Sequence, residues 1–246
     1  YVTGFPDRPP VRMNISIGDT IAALHAVIGA LAALHHRRET GDGQIVDVAL
    51  YEAVFNTMES TLPEYERYGV VRERTGTNLT GIVPSNTYPT LDGGHLVIGA
   101  NGDSIYKRLM AVIGRQDLAD DPALADNAGR SAQAEMLDAA ISEWSVTKTL
   151  DDGLALLAGA DVPASRIYSA ADWSADPQFQ SRGMIERHDM PDGTPIAVPG
   201  VVPKFSATPG ATRWLGPTLG EHTEEILTEL GLTREQQLAL KDKGAV

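Results

Sequence analysis

Ser16-Ile17-Gly18-Asp19-Thr20-Ile21-Ala22-Ala23-Leu24-His25-Ala26-Val27-Ile28-Gly29-Ala30-Leu31-Ala32-Ala33-Leu34-His35-His36-Arg37-Arg38 runs into Thr40-Gly41-Asp42-Gly43-Gln44-Ile45-Val46-Asp47-Val48-Ala49-Leu50. Apolar residues at Ile21, Leu24, Ile28, Leu31 and Leu34 recur at helical spacing. Alanines fill most of the remaining surface, which predicts a helix over 20–38 that is apolar nearly all round and deeply buried. His35, His36, Arg37 and Arg38 fall in its last turn, where positive charge suits the helix dipole, and Gly41 is a C-cap. Ile45-Val46-Asp47-Val48-Ala49-Leu50 is strand-like, and a strand is expected over 44–49. Together with the elements downstream, this mixture predicts an α/β core with a smaller α+β domain at about 85–205.

Asp19 stands at or beside the N-cap of this helix, where the positive end of the dipole stabilises a carboxylate. Two roles are open at this point. Asp is a preferred capping residue and Gly18 suits a turn. The ordinary cap is the leading reading from position alone; the other is a functional carboxylate at a helix mouth between a glycine and a run of small residues, which needs more than position to support it.

Further along, 50–60 reads as helix and 62–86 as an irregular crossing segment. Residues 94–99 read as a strand, and 104–113 as a helix. Asp120-Asp121-Pro122 is a turn. A helix is expected from Ser131, as N-cap, to Trp144, and another over 150–157. Pro191-Asp192-Gly193 between short apolar runs predicts a hairpin within 186–202. Helices over 221–230 and 234–242 close the chain. The expected domains are 1–84, part of a large domain carrying Asp19; 85–205, a small α+β domain; and 206–246, a C-terminal segment returning to the large domain.

The 246 residues include no cysteine, so neither a disulfide framework nor a thiol nucleophile is available. Six scattered histidines show no zinc or calcium spacing, and no metal site is expected. A net charge of −13 argues against nucleic acid and anionic membranes as partners. Neither an uninterrupted membrane span nor a secretory signal is read, and cytoplasmic residence is the expectation.

With the motifs downstream, the chain resembles the class III CoA-transferases, the CaiB/BaiF family. The likeness begins with the Gly18-Asp19 helix and Thr40-Gly41-Asp42-Gly43-Gln44. It continues through Pro84-Ser85-Asn86-Thr87-Tyr88-Pro89-Thr90 with Asp92-Gly93, then Asp176-Pro177-Gln178 with Arg182-Gly183-Met184. Pro199-Gly200, Phe205-Ser206, Thr208-Pro209 and Gly220-Glu221-His222-Thr223 complete it. Each motif is short; their fixed order over the whole chain carries the resemblance.

The resemblance implies part of a Rossmann-like large domain plus a smaller α+β domain, in chains that interlock as a homodimer. It implies Asp19 as the nucleophile that accepts an acyl group from a CoA thioester, with Gly18 beside it. Thr75-Gly76-Thr77-Asn78-Leu79-Thr80-Gly81 stands where the family often has a glycine-rich loop shielding the acyl intermediate, so Gly76, Asn78 and Gly81 are candidate thioester contacts. Its two glycines are fewer than formyl-CoA enzymes show, and a plain connecting loop is the other reading. A dicarboxylate acceptor needs a cation for its second carboxylate, and Arg12, Arg72 and Arg74 are the candidates, beside the ordinary reading of surface arginines. No permanently bound cofactor is implied; CoA enters as a thioester substrate, succinyl-CoA by analogy. The alternatives are an alpha-methylacyl-CoA racemase using Asp19 as base and a non-catalytic acyl-CoA-binding fragment. Thr20-Ile21-Ala22-Ala23 after the aspartate, rather than a glycine cluster, favours transferase. Family members carry a substantial region before this point, so an N-terminal region is expected to complete the CoA site.

Overall fold

The computed structural model describes every residue from Tyr1 to Val246. Its first element is the predicted helix, α1, spanning Ile17–Thr40. Gly41 ends it in the left-handed region at φ 86°, its N–H donating to the Arg37 carbonyl. Two short helices follow, α2 (Leu50–Phe55) and α3 (Thr61–Tyr68). The crossing segment thus contains a helix. Pro63 falls in its first turn, where a missing N–H interrupts no helical bond.

Two expectations for this region are corrected. Gln44–Ala49 has no ladder partner and forms no strand; Ile45 is 96% exposed. A run rich in β-branched residues is prone to pair, but a strand exists only against a neighbour. Nor is α1 deeply buried: only Ala22 is, while Leu24, Ile28 and Leu31 are 59%, 65% and 62% exposed. The chain offers α1 one stripe of neighbours, and the rest of its apolar surface faces outward. The helix is also long and apolar enough to cross a membrane by length and composition, which overturns the expectation that no stretch is. Core helices of soluble proteins meet the same criterion, so it assigns no membrane role.

A sheet begins with β1 (Ser85–Pro89) and β2 (His95–Gly99), antiparallel with Tyr88 opposite Leu96. Around them come α4 (Asp103–Val112), α5 (Gln116–Ala119), α6 (Asn127–Ala132), α7 (Ala134–Ser145) and α8 (Leu150–Gly159), then β3 (Ala164–Arg166), which pairs antiparallel with β2. Tyr88, Leu96 and Ile98 point into a core shared with Leu109, Leu137 and Leu157. Burying each large side chain of this kind contributes about 1.5–3 kcal/mol. Ser131 is not an N-cap. Asp126 caps α6 by accepting from the Gly129 N–H, and Gln133 separates α6 from α7.

The chain divides into two units, Tyr1–Ile167 and Tyr168–Val246. The second contains α9 (Ala170–Ala175), α10 (Pro177–Ser181), the predicted hairpin as β4 (Ile185–Asp189) and β5 (Pro195–Pro199), and the closing helices α11 (Thr223–Glu229) and α12 (Arg234–Asp242). Both sheets are antiparallel and no strand precedes Ser85.

Candidate active site

The N-terminus of α1 is built differently from a capped helix. Ser16 holds the N-cap position but makes no side-chain cap bond. The Ile17 N–H turns back to the Ile15 carbonyl and the Thr20 N–H donates to the Ser16 carbonyl. The Gly18 and Asp19 N–H groups are left without an acceptor. Asp19 is therefore the third helical residue, not the cap. Its carboxylate is exposed, with no hydrogen bond and no ion pair. Two free amides and the positive helix end around an uncommitted carboxylate suit a nucleophile that must both approach an acyl carbon and shed negative charge during reaction.

One stripe of α1 fixes how this end is presented. Gly18, Ala22, His25 and Gly29 share a face at helical spacing. A Cβ on Gly18 would lie 3.5 Å from Val54 Cγ2, and one on Gly29 only 2.6 Å from Val46 Cγ1. Ala22 on this stripe and Ala53 of α2 are both buried. Gly29 thus lets the unpaired extended segment lie directly on the helix.

The candidate thioester and acceptor contacts separate into distinct places. Gly76, Asn78 and Arg72 line one cleft of about 480 Å³, together with Thr57 and Glu59. Arg12 lines another, about 330 Å³, with Asn14 and Ser16. Asp19 lines neither, and Gly81 is also outside both. Gly76 has φ 68° and donates its N–H to the Gly4 carbonyl. A Cβ there would meet the Phe5 ring at 3.0 Å, so glycine is required by both conformation and space. The loop ends are pinned. Thr77 Oγ1 donates to Asn86 Oδ1, and Asn127 Nδ2 donates to the Gly81 carbonyl. Asn86 Nδ2 and the buried Tyr88 hydroxyl both donate to the Asp138 carboxylate. Burial, together with the negative Asp138, pushes the Tyr88 phenol well above its ordinary range.

Two of the three candidate arginines are held within the chain. Arg72 donates from Nε and Nη2 to the two Glu64 carboxylate oxygens, and from Nη2 to Ser60. Arg74 donates to the Phe5 and Tyr1 carbonyls and lies over the Tyr1 ring at 5.1 Å. Arg12 is exposed and unpaired.

The Arg72 hydrogen bonds, helped by the Ser60 hydroxyl, hold the Glu64 carboxyl down from 4.5 to about 2. Because the folded value is depressed, the pair's stabilisation is present above about 4.5 and is lost as pH falls toward 2. Acid unfolding of Glu64→Gln against the parent checks this. The variant is less stable at neutral pH, and the difference shrinks across that window. A difference independent of pH would remove the pair as its cause.

Sequence reasoning missed three polar anchors: Asn127, the Asn86–Asp138 pair and Arg130. Arg130 is fully buried and bonded to four backbone carbonyls. It also missed the bond between His25 and Asn56 Nδ2, 3.2 Å long. Only the Asp126-Asn127 cap had a sequence signal.

The sequence model of CoA-transferase family III matches residues 1–223. Succinyl-CoA–D-citramalate CoA-transferase of Chloroflexus aurantiacus is 47% identical over 247 residues, covering all of this chain and 61% of that protein. The same organism's succinyl-CoA–L-malate CoA-transferase beta subunit is 36% identical over 250 residues, covering all of this chain and 62% of its own. Succinyl-CoA:mesaconate CoA-transferase of Haloarcula hispanica is 34% identical, covering 94% of this chain and 58% of its own. Among solved structures, a CAIB/BAIF family protein from Brucella suis aligns with TM-score 0.73 and 33% identity, over 93% of this chain and 59% of that one. Rv3272 of Mycobacterium tuberculosis, 23% identical over 89% of this chain and 58% of that one, shares the fold with TM-score 0.74. The chain spans about three-fifths of the length of the curated relatives it matches.

Proposed function

We propose, from the premise that this chain belongs to CoA-transferase family III, that the whole protein moves CoA from succinyl-CoA to a small dicarboxylate through Asp19. The observation that carries the reading is the uncommitted Asp19 carboxylate beside two free amides at the mouth of α1. The names of the relatives, transferases for citramalate, malate and mesaconate, support the substrate class.

The chemistry balances without ATP, metal or redox partner. An Asp19 oxygen attacks the thioester carbonyl, the C–S bond breaks, and a mixed anhydride forms with release of CoA thiolate. The thiolate then attacks the aspartyl carbonyl, leaving an aspartyl-CoA thioester and free succinate. The acceptor carboxylate attacks this thioester and expels the thiolate again. Attack of that thiolate on the acceptor's acyl carbon yields the new acyl-CoA and restores Asp19. Each tetrahedral oxyanion needs nearby donors, a role open to the Gly18 and Asp19 amides. Of the three arginines, the unpaired Arg12 is the one free to take an acceptor's second carboxylate. Assembly as a homodimer, with the apolar surface of α1 covered, is part of the same proposal. The exposure of Leu24, Ile28 and Leu31 supports it.

Incubation of the full-length protein with succinyl-CoA and single four- or five-carbon dicarboxylates, read by mass spectrometry of CoA esters, tests the reading. A new dicarboxylate thioester, formed without ATP in step with released succinate, is expected. Thioester hydrolysis alone, or exchange of the alpha hydrogen of a 2-methylacyl-CoA in place of transfer, would contradict it.

A further inference from the structure

We infer that His25 and Asn56 are positioning residues for Asp19, acting through the rotation of α1 about its own axis; this rests on Asp19 being the nucleophile.

The interface that orients α1 is made of small and apolar groups. Gly18 faces Val54 and Gly29 faces Val46, and Ala22 of α1 and Ala53 of α2 are both buried. Contacts between such surfaces set how closely the segments approach and carry no directional bond. A single side-chain hydrogen bond joins α1 to the C-terminal end of α2. Asn56, the C-cap of α2, places Nδ2 3.2 Å from His25 Nε2. The other ring nitrogen, Nδ1, lies 2.9 Å from the Ile21 carbonyl. A carbonyl only accepts, so Nδ1 carries the proton and Nε2 is the acceptor for the Asn56 amide. The ring is half-buried and held from both sides. The tautomer, the ring plane and the direction of the interhelical bond are thereby set together.

Asp19 sits next to this stripe, one residue beyond Gly18, on the same rigid helix. A side chain's tip lies about 5–6 Å from a helix axis, so a roll of about 10° displaces a carboxylate by about 1 Å. Misplacement of that size costs on the order of 100-fold in rate when reacting atoms must meet in line. The His25–Asn56 bond is the directional contact in this interface that opposes such a roll.

The test uses full-length protein. Asn56→Leu keeps the volume and removes the donor; His25→Phe keeps the ring and removes the acceptor; the double variant completes a cycle. Each single variant is expected to lower kcat by about 10–100-fold with KM for both substrates within about threefold, and the double variant to lose no more than either. Thermal unfolding confirms that each variant folds, and hydroxylamine capture after succinyl-CoA reports the Asp19 acyl species. A parent enzyme in which Asp19 is not captured overturns the nucleophile reading and the inference with it. Capture at Asp19 in the parent, with kcat unchanged in a folded Asn56→Leu or His25→Phe, overturns the inference alone. So do losses that multiply in the double variant.

Discussion

Asp19→Ala in the full-length protein is expected to lower turnover by about 10⁴–10⁶-fold, the range seen when a covalent nucleophile is removed. Its unfolding midpoint is expected to move little. The second half of that expectation separates chemistry from capping. As a cap, Asp19 would accept a backbone N–H, and its loss would cost about 0.5–2 kcal/mol. It is instead the third helical residue, exposed and unbonded, so its contribution to stability is limited to the dipole interaction, about 0.3–1 kcal/mol. The two readings therefore exchange their signatures: large loss of activity with a small shift in stability, against a clear stability loss with activity retained. Steady-state kinetics and a urea titration on the same preparation decide between them.

Arg130→Met is expected to destabilise the first unit by about 1–3 kcal/mol for each buried carbonyl it leaves without a donor. Arg130 has no exposed surface and spends its donors on the Val83, Leu124, Ala125 and Asn101 carbonyls and the Asp103 carboxylate. Its guanidinium also lies 4.9 Å from the centre of the Tyr106 ring. Methionine fills similar volume with no donor, so those carbonyls lose the partner for which the surrounding turns are arranged. Lysine does not restore it, because three donors at one point cannot span acceptors placed around a planar fork. Urea midpoints for the parent, Arg130→Met and Arg130→Lys check this; a loss below about 1 kcal/mol in both variants would mean that the network relaxes without its centre.

These residues differ in how far the sequence disclosed them. The helix carrying Asp19 was legible because its apolar spacing, its Gly41 stop and its place before a glycine turn agree. The strand β2, the helices after Gly102 and Thr149, and the hairpin around Asp192-Gly193 follow from equally local signals. Burial of α1 was not legible, because an all-round apolar surface reports what a helix can bury against, not what the chain supplies. Gln44–Ala49 failed for the same reason: β propensity is local, whereas a ladder needs a second strand. Arg130 and Asn56 were invisible because their roles depend on partners 27–47 residues away for one and 31 for the other. An arginine or asparagine between polar neighbours reads as solvated. Arg72 shows the converse. Its type suggested an acceptor site, yet the fold brings Glu64 and Ser60 to it first.

Covalent capture decides whether the Asp19 carboxylate takes the acyl group from succinyl-CoA. The full-length enzyme is mixed with succinyl-CoA, quenched with hydroxylamine, digested and mapped by mass spectrometry. A hydroxamate on the Asp19 carboxyl is expected, absent when the thioester is omitted and absent in Asp19→Ala. Turnover of succinyl-CoA with Asp19 unmodified and the hydroxamate on another side chain would contradict it.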